Sequence, residues 1–212
     1  MVNFLALLGW SLDDKTEILS RRELIAHFSL ERISKTGAIF NREKLDWMNG
    51  VYIRNLTADE FFEAVQPYLM LDEAAGKALI ASEEYVKAAL PLVQERAKKL
   101  AEVAELTQFF FVDELDYEPE LLIGKNMDGE STVAALKAAQ QKLTPLAAFD
   151  ADSLEGVLRP LAAELGLKTG QFFGTLRVAV TGRTAAPPLF DTMAVLGKER
   201  CLKRIEAALQ RL

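Results

Sequence analysis

The chain reads as all-α, a set of multi-helix bundle subdomains, and three observations predict this. Two capping boxes, Ser20-Arg-Arg-Glu23 and Thr57-Ala-Asp-Glu60, place a hydroxyl and a carboxylate three residues apart ahead of apolar runs. Between Ser82 and Leu100, the residues Val86, Ala89, Leu90, Val93, Ala97 and Leu100 recur at the three- and four-residue spacing of one helix face. Phe109-Phe-Phe-Val112 is the one credible strand-like run, too short to found a sheet. Such a chain buries its apolar stripes by packing helix on helix.

The elements follow in order. Val2-Asn-Phe-Leu-Ala-Leu-Leu-Gly-Trp10 lacks the basic start and small-residue cleavage site of a secretory leader, and reads as a helix cut at its N-terminal side. Ser20 caps the next helix, and Asn41 caps one carrying Leu45, Trp47, Met48, Val51 and Tyr52. Thr57 opens Phe61–Leu69, and Ser82 opens the longest periodic stretch, which Pro91 should bend or break. Val103, Leu106, Phe109 and Phe110 form an apolar patch ahead of the acidic link Asp113–Pro119. Helical patterns resume at Ser131–Leu143 and Asp152–Leu165. Pro160 is expected to split the second, with Gly166 as its C-terminal cap. Thr169–Val180 ends near Gly182, Pro187 starts another helix, and Gly197–Leu212 is the last.

Half of the 212 residues are hydrophobic, but the mean hydropathy is only +0.07. No apolar run approaches the ~20 residues of a membrane span. A single cysteine, Cys201, rules out an internal disulfide and suits the cytoplasm. With one histidine, His27, far from that cysteine, a metal site is not expected. The net charge is −6, unevenly spread: residues 158–212 carry +5 and residues 1–157 carry −11. The basic portion has two readings, a local phosphate-binding surface or solvated helix faces.

Catalytic constellations are missing from the sequence. Asn49-Gly50 and Thr169-Gly170 stand alone, without the glycine-rich spacing of a phosphate loop. Cys201 sits in an amphipathic run beside Arg200 and Lys203-Arg204; a core-facing thiol is the plainer reading of it than an activated one. Asp13-Asp14 and Glu83-Glu84 lie at loops or helix starts, where carboxylates complement the helix dipole. Trp10 and Trp47 fall in apolar periodic runs and are read as core.

Three segments carry a family resemblance. Val2–Trp10 and Arg32-Ile-Ser-Lys-Thr-Gly-Ala-Ile-Phe-Asn-Arg-Glu-Lys-Leu-Asp-Trp-Met-Asn-Gly-Val-Tyr-Ile-Arg54 resemble the part that follows the catalytic domain in bacterial glutamyl-tRNA synthetases. Pro187-Pro-Leu-Phe-Asp-Thr-Met-Ala-Val-Leu-Gly-Lys-Glu-Arg200 resembles the family's last segment. The resemblance implies the fold of that family's class I anticodon-binding region. Residues 1–56 would complete a stem-contacting part, 57–117 form a first anticodon-binding helical subdomain and 118–212 a second. It implies tRNA(Glu) as partner, with tRNA(Gln) left open, and neither DNA nor membrane. It also implies a monomer in the cytoplasm whose task is to hold an anticodon arm. The family's two ATP-binding signatures are missing here, so no catalytic residue is assigned. ATP, Mg²⁺ and glutamate would serve the parent ligase, not this segment.

The same resemblance points to particular residues. Arg96, in Leu92-Val-Gln-Glu-Arg-Ala97, is similar to the arginine that meets the last anticodon base, and Arg177, in Thr175-Leu-Arg-Val-Ala179, to the one facing the first. A guanidinium suits unstacked bases because it offers both a flat face and fixed donors. Pro187 and Leu189 match the loop positions that offer a base an apolar platform; otherwise Pro187 starts a helix and Leu189 packs inward. Lys35, Arg42 and Lys44 are candidates for phosphate contacts, with a solvated face as the alternative. The competing class is a helical protein-interaction module that binds through an apolar groove.

Overall fold

Both predicted capping boxes open helices in the computed structural model, which describes residues 1–34 and 37–212. Lys35 therefore lies outside the described residues. The helices are α1 (Val2–Leu7), α2 (Arg21–His27), α3 (Arg42–Arg54), α4 (Ala58–Leu69), α5 (Glu73–Ala81), α6 (Glu83–Gln94) and α7 (Val103–Phe111). Then follow α8 (Gly129–Leu143), α9 (Ala151–Glu164), α10 (Thr169–Thr181), α11 (Leu189–Leu196) and α12 (Lys198–Leu209). No strand occurs among the described residues; Phe109–Phe111 completes α7. A short apolar run has no period of its own, and here it is the buried end of a helix.

In each capping box the reciprocal bonds form. The Ser20 amide donates to Glu23 at 2.8 Å and the Glu23 amide to the Ser20 hydroxyl at 3.2 Å. Thr57 and Glu60 repeat this at 2.9 and 3.3 Å. Asp72 caps α5, which the sequence pattern had not marked. Asp128 and Asp150 cap α8 and α9 slightly upstream of the predicted starts.

Pro160 does not split its helix as expected, and Pro91 does not break its own. Pro91 lies within α6 and Pro160 within α9. Each leaves unpaired the carbonyl four residues back, that of Lys87 or Gly156, and these residues are exposed, so water can satisfy it. The long periodic stretch ends instead at Gln94, followed by a turn and a 3₁₀ segment at Leu100–Glu102. Gly166 and Gly182 adopt the left-handed backbone of C-terminal caps, with φ of 67° and 70°.

Three apolar clusters organise the molecule. Trp10, Leu19 and Leu24 form a small one at the N-terminal end. The second gathers Ile53 with α4–α6 and the start of α7, including Phe61, Val65, Val86 and Val103. The third joins the end of α7 to α8–α12, including Phe110, Leu136, Leu158 and Phe172. Helix α7 thus has one end in each large core, and Phe111 packs against both. Trp10 is buried as expected, whereas Trp47 is 46% exposed. Helix α3 buries only a narrow stripe, Met48, Gly50 and Ile53, and Trp47 falls outside it.

Candidate nucleic-acid interface

The joint between the two large cores is where distant cations meet. Arg96 lies in the turn after α6, and the surroundings hold that turn on several sides. Gln94 Nε2 donates to the Ile53 and Leu56 carbonyls, both at 2.9 Å. Asn49 Nδ2 donates to the Lys98 carbonyl at 2.6 Å, and Lys99 pairs with Asp46 at 3.3 Å and Glu102 at 3.4 Å. Gly50 of α3 faces this turn: a Cβ there would meet the Ala97 carbonyl at 3.5 Å, an ordinary contact distance. Within this braced turn the Arg96 side chain is exposed, with no hydrogen bond or ion pair among the described residues.

Arg177 projects from α10 and is half-buried. It too has no hydrogen-bond or ion-pair partner among the described residues. Burial, and next the positive charge of Arg96, lower its pKa below the usual guanidinium value. Two cations 81 positions apart in sequence therefore lie close enough for one to act on the other. The partly desolvated, unpaired guanidinium of Arg177 is costly for the free fold, and both groups suit a ligand rich in acceptors.

Most other cations of the C-terminal portion are tied to backbone. Arg204, 3% exposed, donates to the carbonyls of Val180 at 2.6 Å and of Phe109 and Val112, each at 2.7 Å. It thereby satisfies carbonyls at the ends of α7 and α10 that helix geometry leaves open. Burial lowers its pKa to about 10, with repulsion from Arg200 adding to the effect. Arg200 bonds the Tyr85 hydroxyl at 2.6 Å and the Phe110 carbonyl at 2.7 Å. Arg211 holds the link after α7 through the Leu115 and Tyr117 carbonyls, at 2.7 and 3.1 Å. Lys198 reaches the Leu146 carbonyl at 2.9 Å. The basic excess is therefore largely internal bracing. Among the arginines of residues 158–212, Arg177 is the one without a side-chain hydrogen bond or ion pair among the described residues.

The remaining candidates fall as follows. Pro187 is buried, Leu189 is 5% exposed and packs into the third core, and the exposed Pro188 caps α11. That helix begins two residues later than expected because the second proline continues the extended approach. Lys44 pairs with Glu17 at 2.5 Å, and Arg42 is exposed in the first turn of α3. Cys201 is fully buried, and burial pushes its thiol up to about 12, so it is inert at neutral pH.

The fold and this joint define a class: an all-α region that presents, between two helical cores, arginines without partners among the described residues. The family model for an anticodon binding domain matches residues 60–209, and the chain belongs to that family. The model for the catalytic domain of class I tRNA synthetases (E and Q) matches residues 1–47. The chain is 54% identical over all its length to a glutamate–tRNA ligase of Dehalococcoides mccartyi strain BAV1, covering 44% of that protein. It is 52% identical over 99% of its length to a glutamate–tRNA ligase of Roseiflexus castenholzii, covering 41% of it. It is also similar to the crystal structure of a glutamate tRNA ligase from Elizabethkingia meningosepticum, solved in complex with its amino acid. There the TM-score is 0.82 and the identity 27%, over all of this chain and 40% of that one. The chain thus spans less than half the length of the relatives it matches.

Proposed function

We propose that this chain is the anticodon-reading part of a glutamate–tRNA ligase and that it grips the anticodon arm of tRNA(Glu). The observation that carries this reading is the Arg96–Arg177 pair, two guanidinium groups without protein partners in one field at the joint of two cores. An unstacked anticodon supplies what the pair lacks: base edges rich in acceptors, flat faces and a phosphate backbone. Arg96 meets the last anticodon base and Arg177 the first. The braced turn 95–99 keeps the entropy cost of ordering Arg96's backbone small. Pro187 and Leu189 support the platform loop from below, and Arg42 is free to meet a phosphate, as Lys44 is once it releases Glu17.

In this reading residues 1–56 contact the stem, 57–117 form the first anticodon-binding subdomain and 118–212 the second, acting as a monomer in the cytoplasm. The segment needs no cofactor for the task; ATP and Mg²⁺ belong to the aminoacylation of the parent ligase. Binding of the purified chain to glutamate, glutamine and unrelated tRNA transcripts at rising salt tests the proposal. Salt-sensitive binding that favours the glutamate tRNA is expected. Salt-insensitive or indiscriminate binding would favour the protein-interaction reading instead.

A further inference from the structure

We infer that Arg183 is a positioning residue of this interface, a solvent-side strap that holds Arg177 in register with Arg96. The inference rests on the anticodon-reading proposal. Arg183 lies just beyond α10, in the loop that leads to Pro187 and Pro188. Its Nη2 crosses to the other core and donates to the Glu105 carbonyl of α7 at 2.9 Å, with Gln108 Oε1 at 3.5 Å. Its guanidinium also lies 5.7 Å from the centre of the Phe109 ring, a cation–π distance. Glu105, Gln108 and Phe109, at i, i+3 and i+4 on one face of α7, are thus gripped by one side chain from the loop.

The other end of the strap is tied to Arg177. Thr181 Oγ1 donates to the Arg177 carbonyl at 2.7 Å and accepts from the Arg183 amide at 3.2 Å. Gly182, between them, has a φ of 70° and so lets the chain reverse directly into Arg183. On the α7 side, the turn that carries Arg96 leads through Leu100–Glu102 into the helix that Arg183 grips. A short covalent and hydrogen-bonded path therefore runs from Arg177 through Thr181 and Arg183 to α7, and back along α7 to Arg96. Arg204 already joins α7 to α10 from the buried side. A second clamp on the outside fixes the spacing of two base-reading side chains, and such constellations tolerate displacements of only about half an ångström.

The test is Arg183→Ala in the full chain, read by affinity for anticodon stem-loop RNAs carrying the glutamate anticodon or one with its first or last base changed. Thermal unfolding and the salt dependence of binding accompany it. The wild type comes first: if it shows no anticodon preference, the functional reading itself has failed and this inference falls with it. Given that preference, the variant is expected to melt near the wild-type temperature and to lose roughly tenfold in affinity for the matched RNA only. Its salt slope should be unchanged. A uniform loss across all RNAs, with the slope smaller by about one, would make Arg183 a phosphate contact and overturn the inference. Unchanged preference would overturn it as well. Should the alanine variant fold poorly, Arg183→Lys keeps the charge but loses the fork and the flat face. It is expected to show an intermediate loss of preference, and full preference would count against the strap.

Discussion

Arg177 on α10 and Arg96 in the turn after α6 repel each other across the joint between two helical cores. Burial first, and Arg96's charge second, depress the pKa of the Arg177 guanidinium. Such an arrangement is unfavourable in the free protein, and a ligand that supplies acceptors relieves it. A neutral residue of similar length should therefore help the fold and harm the function. Arg177→Met is expected to raise the free chain's stability by about 0.5 kcal/mol or more. The same change should weaken anticodon-arm binding by about 1–3 kcal/mol. Thermal unfolding and RNA titration of one preparation check both signs, and a loss in both would make Arg177 a structural residue.

Arg204 should behave oppositely. Its removal leaves the carbonyls of Phe109, Val112 and Val180 buried without a donor. At about 1–3 kcal/mol for each orphaned group, Arg204→Met is expected to cost at least about 3 kcal/mol. Urea unfolding measures this directly. A near-neutral result would show that the carbonyls find other donors.

The fold was legible wherever a signal was local. Ser20, Asn41, Thr57 and Ser82 all cap helices as read, because a cap and its amide lie within three residues. Pro160 misled because a proline's effect depends on whether the freed carbonyl faces water, which spacing alone does not reveal. Trp47 misled because an apolar run does not tell how wide a stripe its neighbours cover. At the joint, Arg96 and Arg177 were reachable through resemblance, but their proximity was not. Arg183 and Arg204 were invisible, since their partners are backbone carbonyls of remote helices and these leave no residue signature.

Gly182 gives a backbone test. At its φ of 70° a side chain is strained, and an added Cβ would meet the Tyr117 ring at 3.1 Å. Gly182→Ala is expected to lose about 1–2 kcal/mol or more in urea unfolding. A neutral outcome would mean that the loop relaxes away from Tyr117.

Acid should loosen the helices from their starts. Hydrogen bonds from the cap residues and first-turn amides hold Glu23, Glu60, Asp128 and Asp150 below the usual carboxylate pKa. Between their folded and unfolded values the unfolded chain binds more protons, so stability rises with pH across that window. The contribution is complete above the unfolded values near pH 4 and is lost as pH falls through the folded ones. Circular dichroism melts from pH 6 down to pH 3 should show the decline, and Thr57→Val, which removes one cap hydroxyl, should flatten it. A melting temperature independent of pH over that range would contradict this account.

The most direct measurement is competition between anticodon stem-loop RNAs for the wild type, Arg96→Ala and Arg177→Ala. The wild type is predicted to prefer the glutamate anticodon, with Arg96→Ala erasing the penalty at the last base alone and Arg177→Ala that at the first alone. Equal binding of all RNAs by the wild type, or variants that weaken every RNA alike, would contradict it.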